Sequence, residues 1–246
     1  MRPAVLVIAA TDSSGGAGLT RDVRVLTDFS ADALCAITAV TAQSDSRVSA
    51  VHHIPPQIIR AQIDAAFATR RVGAIKIGML GTCATVEAVV ESLAAAASVP
   101  IVLDPVLVAS SGGVLLDAEG RAAMRERLFP RVMLITPNIP EAAALLDEDV
   151  ATSERVLIEQ ARRLLALGPQ AVLLKGGHMA GEEAVDLLIS GNHGLQRIAS
   201  ARLHATSRGT GCALASAISA GLASGTSLFE SCQRAKRYVA EEMLSR

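Results

Sequence analysis

Among 246 residues there is no tryptophan, one tyrosine and four phenylalanines. Proteins that grip single-stranded nucleic acid stack bases on aromatic rings, so this chain lacks the material for that class. A surplus of one charge is also missing. Twenty-three Lys and Arg face 24 Asp and Glu, a net charge of −1. No basic field exists to hold DNA, RNA or an anionic membrane. No run approaches the roughly 18 uninterrupted apolar residues of a membrane span. The four cysteines, Cys35, Cys83, Cys212 and Cys232, form no C-x-x-C pair and read as reduced thiols. The short apolar run near the N-terminus leads into a Gly-rich loop instead of a cleavage region, so a first buried strand is expected there and not a signal peptide. These features predict a cytoplasmic protein with no nucleic-acid or membrane partner.

What the chain has is aliphatic material: half of it is hydrophobic, mostly Ala, Val and Leu. Short apolar runs at Ala4–Ala9, Leu34–Val40, Ala74–Ile77, Ile101–Leu103, Val132–Ile135, Ala171–Leu174 and Val185–Ile189 read as strands covered on both faces. Helix patterns alternate with them at Thr20–Phe29, Pro56–Thr69, Thr82–Ala97, Ala118–Leu128, Glu141–Leu146, Ser153–Leu167, Cys212–Ser224 and Leu228–Leu244. Pro56 suits a first helical position, and Thr82 suits a cap. The alternation predicts βαβ units and a mostly parallel sheet in one domain over 1–246. The segment Ser190–Arg208, rich in Gly, His, Asn and Ser, predicts a loop with a short antiparallel hairpin.

Ligands of such sheets sit at the carboxyl ends of the strands, and the loops there are distinctive. After the first strand comes Thr11-Asp12-Ser13-Ser14-Gly15-Gly16-Ala17-Gly18, which is neither a dinucleotide fingerprint nor a P-loop. Its small residues allow close backbone approach to a ligand, or simply make a flexible turn. Arg208-Gly209-Thr210-Gly211-Cys212 opens a helix, where free N–H groups at the positive end of the dipole form an anion hole. Cys212 falls in the first turn, a setting that depresses a thiol pKa and qualifies it as a proton acceptor. Asn138 and Glu141, three apart, can face one ligand and suit hydrated magnesium; equally, they can be a helix cap and its capping-box partner. Lys175-Gly176-Gly177-His178 places a lysine at a strand end, to meet a phosphate or to lie solvated. Asp104-Pro105 and Lys76-Ile77-Gly78-Met79-Leu80 follow two further strands. Together these loops describe a magnesium-dependent phosphotransferase.

In this order, and with Thr41-Ala42-Gln43, the motifs resemble those of the hydroxymethylpyrimidine/phosphomethylpyrimidine kinases of thiamine biosynthesis, in the ribokinase-like superfamily. Single pieces are shared with bacterial pyridoxal kinases. The resemblance covers nearly the whole chain. It implies a three-layer α/β/α ribokinase-like fold and ATP-dependent phosphorylation of 4-amino-5-hydroxymethyl-2-methylpyrimidine, then of its monophosphate, with Mg2+ and in a homodimer. Carried over by motif, Gln43 would bind the aminopyrimidine, with Asp12, Gly78, Met79 and Val106 near the ring. Gly209, Thr210 and Gly211 would form the anion hole and Cys212 the base. Lys175, Asn138 and Lys236 would meet the nucleotide, and Glu141 and Asp104 the metal. The amide of Gln43 both donates and accepts, matching an aminopyrimidine edge; alternatively it is a buried polar group satisfied by backbone. The chain departs from the family pattern at Ala10, at Leu19–Arg24, at Leu203-His204, at Arg208 (where the family carries His) and in a shorter C-terminus. Arg208 is expected to add positive charge beside the phosphates. Two alternatives stay open: a pyridoxal or pyridoxine kinase, and a non-catalytic pyrimidine-binding relative.

Overall fold

The computed structural model describes residues 2–96, 98–109, 112–176, 183–203 and 208–244. The expected Gly177-His178 turn and His204 lie outside them. The strands are β1 (Ala4–Asp12), β2 (Asp32–Gln43), β3 (Val48–His53), β4 (Ala74–Ile77), β5 (Ile101–Leu103), β6 (Leu134–Ile135), β7 (Ala171–Leu174), β8 (Glu183–Ser190) and β9 (Gly194–Ala201). They form one sheet in the order β3-β2-β1-β4-β5-β6-β7-β8-β9. Every pairing from β2 across to β7 is parallel. The two margins are antiparallel: β3 on β2, and β8 and β9 beyond β7.

Alternation along the parallel strands explains the layers. Leu6, Ile8, Ile75, Ile77, Leu103, Ile135 and Leu174 point to one face. There they meet α2 (Pro56–Thr69), α3 (Cys83–Ser92), α5 (Ile139–Leu146) and α6 (Glu154–Ala166), with the short α4 (Ala118–Ala123) at the margin. Val5, Val7, Val102, Leu134 and Leu173 point the other way. Their partners are α1 (Gly18–Asp28), α7 (Thr210–Ala223) and α8 (Leu228–Leu244). The expected three-layer α/β/α architecture is the one observed. Helix α7 is buried along most of its length by Ala, Ser, Leu and Ile. Its small side chains let it lie close against the sheet.

Local signals set several boundaries. Pro56 begins α2. The Thr82 hydroxyl caps α3 by accepting the Thr85 N–H at 3.2 Å. Past α4 the helix widens into a π-turn over Met124–Leu128, so the expected Ala118–Leu128 helix has two parts. Strand β3 was not anticipated. The expected hairpin near Ser190 is formed by β8 and β9. Cys35 is exposed on β2.

Candidate active site

The carboxyl ends of β1, β2, β4, β5, β6 and β7 converge on a cavity of about 950 Å³. Of the predicted site residues, Asp12, Gln43, Met79, Asp104, Val106, Asn138, Glu141, Lys175, Gly209, Thr210, Gly211, Cys212 and Lys236 line it. Gly78 does not. A Cβ on Gly78 would stand 2.8 Å from Lys76 Nζ and 3.2 Å from Ala9 Cβ. Its missing side chain makes room for a lysine and contacts no ligand space.

One end of the cavity is apolar. Ala10, Met79, Val106 and Leu115 line it, with Ala39 packed behind them, an aliphatic slot without an aromatic ring. Gln43 borders it at the end of β2. The Ser13 hydroxyl donates to the Gln43 carbonyl and accepts its N–H, both at 2.8 Å, clipping the strand end to the β1–α1 loop. Asp12 organises that loop. Its Oδ1 accepts the Ser14 N–H at 2.9 Å and the Ser14 hydroxyl at 2.8 Å. Its Oδ2 accepts the Ala17 N–H at 2.9 Å and an Arg208 N–H at 3.1 Å. The carboxylate expected near the ring is thus committed to its own loop. Arg208 also donates to Asp45 at 2.7 Å and to Ser14 Oγ at 3.1 Å. Its expected positive charge is balanced by two carboxylates.

The anion-hole segment sits where helix α7 meets the β1–α1 loop. Gly209 has φ 72°, and a Cβ on it would lie 2.3 Å from the Gly16 carbonyl oxygen. Only glycine permits both the left-handed backbone and this approach. The first N–H groups of α7 have no partner within the helix and open at the cavity, next to Asp104 and Lys175. Cys212 is on this first turn as expected, but its ionisation is not. Burial pushes the thiol up to about 11, outweighing the nearby Lys76 ammonium and the Gly18 N–H that pull it down. Desolvation defeats the helix dipole here, because a thiolate inside protein loses far more hydration than one turn of helix returns.

At the far end, Asn138 and Glu141 form a reciprocal capping box at the start of α5. The Asn138 side chain accepts the Glu141 N–H and Glu141 accepts the Asn138 N–H, each at 2.8 Å. Lys175 lies between two carboxylates, 3.1 Å from Asp104 and 3.9 Å from Glu141. Burial raises the Glu141 pKa against the pull of Lys175. Lys236 is held by Asp186 at 2.8 Å, and the other Asp186 oxygen accepts the Gly176 N–H at 3.0 Å. An ion pair between α8 and β8 thereby fixes the turn after Lys175. Asp186 had no motif around it and escaped the sequence reading; its one signal was an acid among the apolar residues of β8.

A model of the phosphomethylpyrimidine kinase family matches residues 12–246. The chain belongs to that family. Members of the phosphomethylpyrimidine kinase family similar to it include the hydroxymethylpyrimidine/phosphomethylpyrimidine kinase of Escherichia coli, 41% identical over 97% of this chain and 90% of that protein. The thiamine biosynthesis bifunctional protein ThiED of Geobacter sulfurreducens is also 41% identical, over 97% of this chain; the chain spans about half (48%) of its length. Among solved structures, an ADP complex of Bacillus subtilis pyridoxal kinase superposes with a TM-score of 0.89 at 32% identity, over 96% of this chain and 90% of that one.

Proposed function

We propose that this chain transfers the γ-phosphate of ATP to the hydroxymethyl group of 4-amino-5-hydroxymethyl-2-methylpyrimidine, and then phosphorylates the monophosphate. The observation that carries this reading is one cavity joining Gln43 and an aliphatic slot to the Gly209–Cys212 turn. The slot of Ala10, Met79 and Val106 takes the flat ring, and Gln43 supplies directional hydrogen bonds to its amino edge. The alcohol then faces Cys212, which accepts its proton as the oxygen attacks phosphorus. The α7 N–H groups receive the charge of the transferring phosphoryl group, and Lys175 offsets phosphate charge from the β7 end. Lys236 acts through Asp186 on the Lys175-Gly176 turn.

Magnesium fits this site only as a cation carried by the nucleotide. No group of three or more His, Cys, Asp or Glu among the described residues could cage a metal, whereas Asp104 and Glu141 can meet the waters of a hydrated ion that keeps phosphate oxygens as ligands. When bound, it would neutralise charge on the phosphates.

The test is purified protein with ATP, magnesium and the hydroxymethylpyrimidine, resolving mono- and diphosphate products. Absence of any phosphorylated product at saturating substrate overturns the proposal; pyrimidine binding by calorimetry without turnover would identify a non-catalytic relative. The likeness to a pyridoxal kinase favours pyridoxal as a second acceptor, and the ratio of kcat/KM on the two alcohols decides between them. No helix among the described residues is long and apolar enough to cross a membrane; we place the protein in the cytoplasm, where ATP is available and thiols stay reduced. We also assign a homodimer, checked by sedimentation.

A further inference from the structure

A fully buried lysine lies beneath the site, and the mechanism above gives it no task. Lys76 is in the middle of β4, a strand otherwise made of Ala and Ile, and is 0% exposed. Its Nζ is 2.8 Å from Asp22 Oδ2, also 0% exposed. The second Asp22 oxygen accepts the Ser216 hydroxyl at 2.8 Å. Ser216 is one turn beyond Cys212 on α7, so both side chains leave the same face of that helix. Lys76 and Cys212 line the same cavity. Three elements (α1, β4 and α7) therefore meet in an ion pair one helical turn from Cys212. Gly78, two residues on, keeps the space the ammonium occupies. Burying a charge pair is a poor route to stability, since an apolar pair of the same volume does at least as well. The arrangement calls for a reason connected with the site.

We propose that Lys76 is a positioning residue for Cys212: its ammonium, held in place by Asp22 and Ser216, stabilises the thiolate that accepts the substrate proton. This rests on Cys212 being the base. The groups facing the thiol from each neighbouring element are Lys76 on β4, Asp22 on α1, Asp104 after β5 and Lys175 after β7, with the Gly18 N–H at the start of α1. After burial, which raises the thiol, Lys76 is the strongest influence and it acts in the opposite direction. Lys76 keeps its own proton: burial alone would remove it, but Asp22 holds its pKa above the usual lysine value. The cation is permanent and does not compete for the proton that Cys212 must take.

The test reads the thiol directly. Iodoacetamide alkylation of Cys212 is followed against pH by site-resolved mass spectrometry in wild type, in Lys76→Met, in Asp22→Asn, and in a Lys76→Met/Asp22→Asn double variant. The double variant leaves no unpaired buried acid and keeps the measurement available where the single variant does not fold. Removing the ammonium should shift the alkylation midpoint to higher pH, so that at a fixed pH below the midpoint Cys212 reacts several-fold more slowly. In the double variant Cys35, which Asp22 also influences, should not slow. The alkaline rise of kcat should move with the Cys212 midpoint while KM for ATP stays. Asp22 on its own raises the thiol, so the double variant is read against Asp22→Asn alone: a Cys212 that reacts no more slowly in the folded double variant than in Asp22→Asn overturns the proposal. Because alkylation needs no turnover, that outcome is distinct from failure of the kinase reading, which an inactive wild type would show.

Discussion

Cys212 was placed by its motif, but its burial was not visible in the string Gly-Thr-Gly-Cys. A dipole argument lowers the thiol pKa, but burial, with Asp22 on α1 and Asp104 after β5, raises it to about 11 against the pull of Lys76 on β4. If this thiol must lose its proton, kcat rises with pH across roughly pH 7 to 9, by about tenfold per unit; a flat profile there would mean another base. Cys212→Ala should lower kcat by roughly 10²–10⁴-fold with little change in KM, the usual cost of losing a general base. Gly78 has a packing role that its motif did not show. The family resemblance puts it near the ring, yet the neighbour that requires glycine there is Lys76 on the preceding strand. Gly78→Ala should cost about 1–3 kcal/mol by overpacking, read as a lower denaturant midpoint, because the Cβ would displace the Lys76 ammonium from Asp22. The network around Lys76 could not be inferred from sequence: its partner Asp22 is 54 positions away, and Ser216, which donates to Asp22, is 140 away.

The central strands were legible because burial on both faces leaves continuous Val, Ile and Leu runs. Those same runs ordered the site, since each loop inherits its place from the strand before it. The margins were less legible. β3, Val48–His53, carries no buried residue, so neither an apolar run nor an alternation marks it; it exists because β2 offers it a ladder. β9 buries Ile198 alone and was anticipated only from the turn residues before it. Asn138 and Glu141 fitted two readings, a cap and a ligand pair; they form the cap and line the cavity as well. The connection from α8 through Asp186 to Gly176 gives a prediction at this scale. Asp186→Asn should raise KM for ATP several-fold and leave KM for the alcohol unchanged, measured by initial rates with each substrate varied in turn. Equal changes in both would show a general loosening of the fold.

Across the molecule, one sheet carries the apolar slot and the phosphate end on the same edge, while α7 runs beneath the cavity from one helix layer. Segments from both layers and both sheet margins contribute to the walls, so a bound ligand should stabilise the whole fold. At about 100 times its Kd, ATP should add about 2.7 kcal/mol to unfolding. For a chain of this length that is a rise of about 5–10 °C in Tm, read by calorimetry. A smaller rise in Asp186→Asn at the same ATP concentration would agree with its effect on KM.

The sole tyrosine has its own consequence. Tyr238 on α8 donates to Asp28 at the end of α1 at 2.6 Å and meets Phe29 edge-on with ring centroids 5.1 Å apart. With no tryptophan in the chain, this one phenol dominates its near-ultraviolet emission. A carboxylate that takes a hydrogen bond from tyrosine also quenches it, so the native protein should be dim and should brighten when α8 leaves α1. The molecule carries an optical sensor of a single helix–helix contact, needing no added label.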